Sequence, residues 1–373
     1  MESKRIADLN VSSRILLGPG PSMVSPRVLR AMATPVLGHL DPQFLTIMEE
    51  QQQLLRMVFQ TQNELTLSIP GTGSAGMEAA LCNFIEPGDQ VLVAIMGFFG
   101  ERLAEMAQRY GALVDRVEKP WGEVFDPVEI EEALKAKTYK LIALVHAETS
   151  TGALQPGIAE IAAAAHRHGA LLVLDTVTSL GGMPVEIDAW QVDVAYSAAQ
   201  KSLSCPPGLA PLTVSPRARE VLHKRKTPLT NWYLDLNGLE KYWQPPHAYH
   251  HTAPISLHYA LREGLRMVEE EGLAARFERH RFNANLLWEG LDALDLPPLV
   301  QPRHRLTTLT TPQIPVSIDD LAVRQRLLEE YNIEIAGGFG PLKGKVWRIG
   351  LMGFSSRREN IALLLAALDQ ILR

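Results

Sequence analysis

Five short apolar runs recur along the chain: "LTLSIPG", "QVLVAIMG", "KLIALVHAE", "GALLVLDTV" and "VDVAYSAAQ". They are rich in Val, Ile and Leu, and they do not alternate with polar residues, as strands buried on both faces should not. Helical patterns such as "SAGMEAALCNFI", "GERLAEMAQRYG" and "IAEIAAAAHRHG" lie between them. Strand–helix–strand alternation predicts an α/β fold with a mostly parallel sheet covered by helices. From about Ile255 the pattern changes to long helix with a break near Gly272, then short strands and a last helix "RENIALLLAALDQILR". The expectation is a large domain over 22–273, a smaller α+β domain over 274–373, and an arm over 1–21.

Charge and cysteine content exclude several classes. Lys and Arg number 36 against 42 Asp and Glu, a net −6, with no basic stretch to suit nucleic acid. Cys82 and Cys205 are the only cysteines, too few for a disulfide framework or a Cys-rich zinc module. The N-terminal "MESKRIADLNVSSR" lacks the apolar core of a signal peptide, and no run reaches the length of a membrane helix. The expected compartment is the cytoplasm.

Ligands of open α/β sheets bind beyond the carboxyl ends of the strands. "GTGSAG", Gly71 to Gly76, follows a strand there, opens a helix and fits G-x-G-x-x-G. A dinucleotide fingerprint also needs an acidic residue after the next strand. That strand ends in Gly97 and Phe98, and Asp89 precedes it, so a nicotinamide site is disfavoured. The phosphate logic survives, because small residues admit a ligand to the N–H groups and dipole of a helix start.

Asp175 closes "LLVLD", and Lys201 follows the next apolar run in "SAAQKSLSCPPG". A buried carboxylate is costly unless paired. A desolvated lysine amine is a nucleophile towards carbonyls. A carboxylate that keeps a pyridine nitrogen protonated, such a lysine and a phosphate cradle together suit pyridoxal phosphate. Read alone, each residue has a bland alternative: a helix N-cap for Asp175, a solvated charge for Lys201.

Further segments carry a resemblance. "LLGPGPSMVSPRVLRAM", "GTGSAGMEAAL", "HAETSTGALQP", "LDTVTSLGG", "SAAQKSLSCPPG", "YHHTAP" and "GKVWRIGLMG" occur in this order over nearly the whole length. The chain resembles the class V, fold type I, pyridoxal-phosphate aminotransferases, and within them the alanine–glyoxylate and serine–glyoxylate group. The resemblance implies a large domain with a seven-stranded, mostly parallel sheet. It implies that Lys201 holds the cofactor, that Asp175 pairs with its ring nitrogen, and that Val177 packs on one ring face. Phe99 would stack on the other face, where close relatives often carry Trp. Thr72, Gly73, Ser74 and Gln200 would surround the phosphate, although some relatives carry His at the position of Ser74. Ser150 would approach the ring hydroxyl and the substrate.

Arg348 would grip the substrate carboxylate with its planar fork, with Gly20 leaving room nearby. Tyr249 and Thr252 would reach the phosphate of a neighbouring subunit, making the active unit a homodimer. Three histidines in "HAYHH" lack the carboxylate or cysteine partner usual for a metal, so no metal is expected. The implied activity transfers the amino group of alanine or serine to glyoxylate. A transaminase for another small donor such as 2-aminoethylphosphonate, or a lyase, shares the scaffold. A desulfurase-type lyase needs a cysteine on a mobile loop, whereas Cys82 falls inside a helical pattern and Cys205 has the pattern of a packing residue.

Overall fold

A computed structural model describes residues 6–373 of the chain. Residues 1–5 of the expected arm lie outside the described residues. The central sheet has seven strands: β1 (Leu65–Pro70), β2 (Gln90–Ile95), β3 (Leu113–Glu118), β4 (Leu141–Val145), β5 (Leu171–Asp175), β6 (Val194–Tyr196) and β7 (Leu209–Val214). Their spatial order is β1-β7-β6-β5-β4-β2-β3. Only β7 runs against the others, pairing antiparallel with both β1 and β6.

The unbroken apolar runs behave as expected, because alternate residues feed cores on opposite faces. Val91, Val93, Leu141, Ala143 and Val173 join one buried cluster; Leu92, Ala94, Ile142, Leu144 and Leu172 join the other. Burying each such Val or Leu is worth roughly 1.5–3 kcal/mol. Helices α3 (Gly73–Cys82), α4 (Phe98–Arg109) and α6 (Ile158–Arg167) cover the sheet, as does α2 (Pro42–Phe59). The buried hydroxyl of Ser68 on β1 meets Gln51 of α2 at 2.8 Å, and those of Thr66 and Thr213 meet each other at 2.8 Å, so these polar groups in the sheet are satisfied.

Two strands escape the sequence reading for physical reasons. β3 carries Asp115, Arg116 and Glu118 because it is the outer strand and faces solvent. β7 contains Pro211, which reads as a strand breaker. The proline carbonyl still accepts the Ser197 N–H at 2.8 Å, so only the donor side of that rung is lost.

Beyond the sheet, α7 (Ile255–Glu271) and α8 (Leu273–Asp292) meet at Gly272, whose φ of 79° turns the chain, as the sequence suggested. A second, three-stranded antiparallel sheet follows, ordered β8 (Leu309–Thr310), β10 (Trp347–Gly350), β9 (Ala336–Gly337). It packs with α9 (Asp320–Tyr331) and α10 (Arg358–Leu372) on a separate apolar cluster that includes Leu291, Leu327, Trp347 and Leu364. The arm is part of this unit: Ile15 and Leu16 pair in parallel with Ile333 and Glu334, and Leu17 is fully buried in its core. No helix among the described residues is long and apolar enough to cross a membrane.

Candidate active site

The carboxyl ends of β1, β5 and β6 converge on one cavity of about 170 Å³. Its first wall is the turn from β1 into α3. Gly71 has φ of +136°, and its N–H donates to the Gly208 carbonyl at 2.8 Å. A Cβ there would lie 2.5 Å from that of Ala75, so the turn requires glycine. Thr72 caps α3 without a side-chain bond to the helix, leaving its hydroxyl and the Gly73 and Ser74 N–H groups to face an anion, whereas the Ala75 N–H is taken by the Thr72 carbonyl. A Cβ on Gly73 would sit 3.1 Å from Ala198 and 3.2 Å from Val177, which shows how closely this turn approaches the opposite wall.

The second wall holds the titratable pair. Asp175 is the last residue of β5 and is buried. Its carboxylate accepts the Val177 N–H at 2.8 Å and the Tyr196 hydroxyl at 2.7 Å. Burial raises its pKa to about 6, against the lowering effect of both donors. Lys201 is also buried. Loss of water and then the charge of Arg348 lower its pKa to about 8, with Asp175 opposing both. The ammonium donates to the Pro19 carbonyl. A Cβ on Gly20 would meet the Lys201 Cδ at 2.8 Å, so the arm lies directly over the lysine.

Phe99 lines the cavity from the first turn of α4. Its N–H points to both carboxylate oxygens of fully buried Glu148, at 3.2 and 3.4 Å. A Cβ on Gly97 would fall 2.4 Å from the Glu148 Cγ, so the helix start and this carboxylate fit only with glycine between. Arg102, one turn along, places its guanidinium 5.1 Å from the Phe99 ring and donates to the Ser74 hydroxyl at 3.2 Å.

Of the residues expected from sequence, Thr72, Gly73, Ser74, Phe99, Asp175, Val177, Gln200 and Lys201 all line this cavity. Met77, Arg102 and Thr149 line it too, and sequence reasoning missed them. Ser150 differs from expectation. It is buried behind the wall, where its hydroxyl donates to Glu148 at 2.6 Å and accepts the Phe98 N–H at 3.0 Å. Thr149, its neighbour, is the residue that faces the cavity. Tyr196 and Glu148 were also missed, although both stand at strand ends on the edge where ligands bind.

Arg348 approaches from β10 of the small sheet and is buried. Its Nε donates to the Gly337 carbonyl at 2.8 Å, and the Phe339 ring lies 3.8 Å from the guanidinium carbon. Among the described residues no carboxylate lies within salt-bridge distance of it, and its terminal Nη groups make no hydrogen bond within the chain. Burial lowers its pKa to about 10. Tyr249 and Thr252 do not reach the cavity of their own chain: both are exposed, and the Tyr249 ring sits 5.1 Å from His39. His247, His250 and His251 form no group with acidic or thiol side chains that a metal would need, among the described residues. Cys205 is buried with its Sγ near the Ala260 and Leu203 carbonyls, and burial pushes its thiol up to about 12.

The sequence pattern of the family "Aminotransferase class-V" matches residues 15–352. The chain is a class V aminotransferase. It is 44% identical over 377 residues to the (S)-ureidoglycine–glyoxylate transaminase of Bacillus subtilis, covering 96% of this chain and 90% of that one. It is 41% identical to the alanine–glyoxylate aminotransferase of Drosophila melanogaster, over 98% and 94% of the two chains. The crystal structure of an alanine–glyoxylate aminotransferase from Nostoc sp. superposes with a TM-score of 0.97 at 54% identity, covering 99% of this chain and 98% of that one.

Membership makes this aminotransferase an enzyme of fold type I and implies pyridoxal phosphate as cofactor. The cavity fits that group. It offers an amine, a carboxylate, an aromatic ring and an open helix N-terminus within one enclosure. Gln200 adds a buried amide whose oxygen has no hydrogen-bond partner; turned over, the same amide presents the N–H donor that a phosphate accepts from.

Proposed function

We propose that this aminotransferase moves the amino group of alanine, or of serine, to glyoxylate, giving glycine and pyruvate or hydroxypyruvate. The observation that carries the reading is the pairing of a depressed, buried Lys201 amine with the uncommitted edge of Arg348. Together they offer a proton acceptor and a carboxylate fork on one site. The two curated relatives described above both carry glyoxylate in their names and differ in the donor.

When bound, pyridoxal phosphate supplies an electron sink for the charge that develops at a substrate Cα. Everything else falls to the protein. Lys201 would hold the cofactor through Nζ, and its free amine would take and return the substrate Cα proton; such positioned transfer contributes on the order of 10²–10⁴-fold. The Asp175 carboxylate holds a proton at the ring nitrogen. Val177 and Phe99, which line the cavity, would pack on the two faces of the ring. The start of α3, through Thr72, Gly73 and Ser74, receives the phosphate together with Gln200. Arg348 fixes the substrate carboxylate, and Gly20 leaves it room. Thr149 takes the place that Ser150 held in the sequence reading.

In this reading Tyr249 and Thr252 serve the phosphate site of a second copy, so the working unit is a homodimer. Their exposure on the single chain supports it. The chain divides into an arm over 1–21, a large domain over 22–273 and a small domain over 274–373. Two free, buried cysteines suit the cytoplasm. (S)-ureidoglycine is a second candidate donor, favoured by the 44% identity to the Bacillus subtilis transaminase.

The deciding experiment offers purified enzyme alanine, serine, (S)-ureidoglycine and 2-aminoethylphosphonate, each with glyoxylate and with pyruvate. Glycine formation from alanine or serine is expected. Transfer from none of the four donors to glyoxylate refutes the reading.

A further inference from the structure

Phe98 and Phe339 come from distant parts of the chain, and the fold brings them together. Phe98 opens α4 beside the large sheet, whereas Phe339 follows β9 of the small one. Their ring centroids lie 4.9 Å apart with the planes inclined at 43°. Phe98 meets Phe99 edge-on at 5.6 Å, and Phe339 lies beneath the Arg348 guanidinium. A continuous line of rings therefore runs from the cavity wall to the fork, bridging the two units.

We propose that Phe98 and Phe339 form the wall that limits the side chain of the amino donor, a role that rests on the transaminase reading above. Phe339 takes one face of the Arg348 guanidinium, and Gly337 takes its Nε. What remains open is the edge that carries the terminal N–H groups. A carboxylate docked on that edge holds its carbon chain beside the aromatic line.

The backbone that carries the wall is held on both sides. The Phe98 N–H is held by the Ser150 hydroxyl at 3.0 Å, and Ser150 is held in turn by Glu148. On the other side, the Gly338 N–H donates to the Val346 carbonyl at 3.0 Å. A Cβ on Gly338 would strike the Leu342 carbonyl oxygen at 2.2 Å, so this loop is packed against itself. These contacts fix the backbone at Phe98 and beside Phe339, so the rings are presented from a held main chain, with the Phe339 ring itself partly exposed.

The test compares pyridoxal-phosphate-loaded wild type with Phe98→Leu, Phe339→Leu and Phe339→Ala. Alanine, 2-aminobutyrate and norvaline serve as donors to glyoxylate. In the wild type kcat/KM should fall along this series, and in the variants the norvaline-to-alanine ratio should rise by about tenfold or more, the scale on which single methylenes are discriminated. An unchanged ratio, or an equal loss for all three donors, overturns the proposal and leaves the rings as mere supports of Arg348. Phe339→Leu accompanies Phe339→Ala so that a folding failure of the smaller variant still leaves one to read.

Calorimetric binding of acetate, propionate, butyrate and valerate gives a second readout without turnover. The loss of affinity with chain length should be steeper in the wild type than in the variants; equal slopes overturn the proposal. If the wild type transfers from no amino acid to glyoxylate, the function proposed above fails, and the calorimetric series still decides the wall.

Discussion

The Tyr196 hydroxyl donates to the Asp175 carboxylate at 2.7 Å, joining the last residues of neighbouring strands β6 and β5. Asp175 has to be ionised to hold a proton on a pyridine nitrogen, and burial works against that. The tyrosine is one of two donors that restrain the rise. Removing it in Tyr196→Phe should push the Asp175 pKa above about 6 and move the acidic limb of the kcat profile to higher pH. An acidic limb that stays where it is would show that the hydroxyl does not tune the carboxylate. A buried hydrogen bond to a charged group is worth about 1.5–3 kcal/mol, so cofactor affinity should weaken as well.

Lys201 gives the opposite sign. Its amine is lowered to about 8, so the neutral nucleophile accounts for a small share at pH 7 and most of the population at pH 9. The rate at which apoprotein captures pyridoxal phosphate should therefore rise through pH 8 and level off above it. Stopped-flow absorbance over pH 6.5–9.5 reads this directly, and a flat profile argues against the depressed amine. Lys201→Ala should lose both turnover and the borohydride-trappable adduct.

Arg348→Lys keeps a positive charge and loses the planar fork. The expected result is a fall of about 30-fold or more in kcat/KM, the equivalent of roughly 2 kcal/mol for a lost charge-assisted hydrogen bond. The rise should lie in KM, and the dissociation constant for the cofactor should not change. Kinetics equal to wild type would remove Arg348 from the substrate site.

Gly20→Ala tests the arm over the lysine. The new methyl would stand 2.8 Å from the Lys201 Cδ, at a backbone φ of +111° that side chains avoid. Strain of about 1–3 kcal/mol is expected. It should appear as a lower Tm and as slower cofactor capture, because the lysine must move to admit the methyl. Normal capture with a lowered Tm alone would mean that the strain is relieved in the arm.

Much of this arrangement was legible in the sequence because buried parallel strands announce themselves as unbroken apolar runs, and their carboxyl ends mark where to look. Asp175 and Lys201 were found in that way, and "GTGSAG" gave the turn before α3. Residues whose part depends on tertiary approach were not legible. Arg102 reads as a surface residue of an amphipathic helix until Phe99 and Ser74 are seen beside it. Tyr196 reads as one more apolar strand residue. The exchange of Ser150 for Thr149 at the cavity follows from Glu148, which draws the serine hydroxyl inward. β7 was hidden by Pro211, whose cost becomes visible only once its two strand partners are known.

A further prediction concerns Arg276 at the start of α8. Its buried guanidinium donates to the Gly181 and Ser202 carbonyls and pairs with Glu271 at 2.6 Å. Arg279 shares Glu271 and reaches the Gly353 and Ser356 carbonyls. Arg276→Met leaves two buried carbonyls unsatisfied and should cost about 3 kcal/mol or more, read as a drop in Tm and in the denaturation midpoint. A change under 1 kcal/mol would indicate that water replaces the guanidinium.

The arm has a consequence for how the protein is made. Ile15 to Leu17 pair with Ile333, Glu334 and Gly350, and Ser22 then bonds to the Gln200 and Lys201 carbonyls. A ribosome synthesises these first residues long before their partners exist. Ile15 to Leu17 must wait, unpaired, until the segment from Ile333 to Gly350 has emerged. The contacts over the lysine can form as soon as Lys201 exists, but the anchor of the arm on the small sheet cannot form before Ile333 to Gly350 are made.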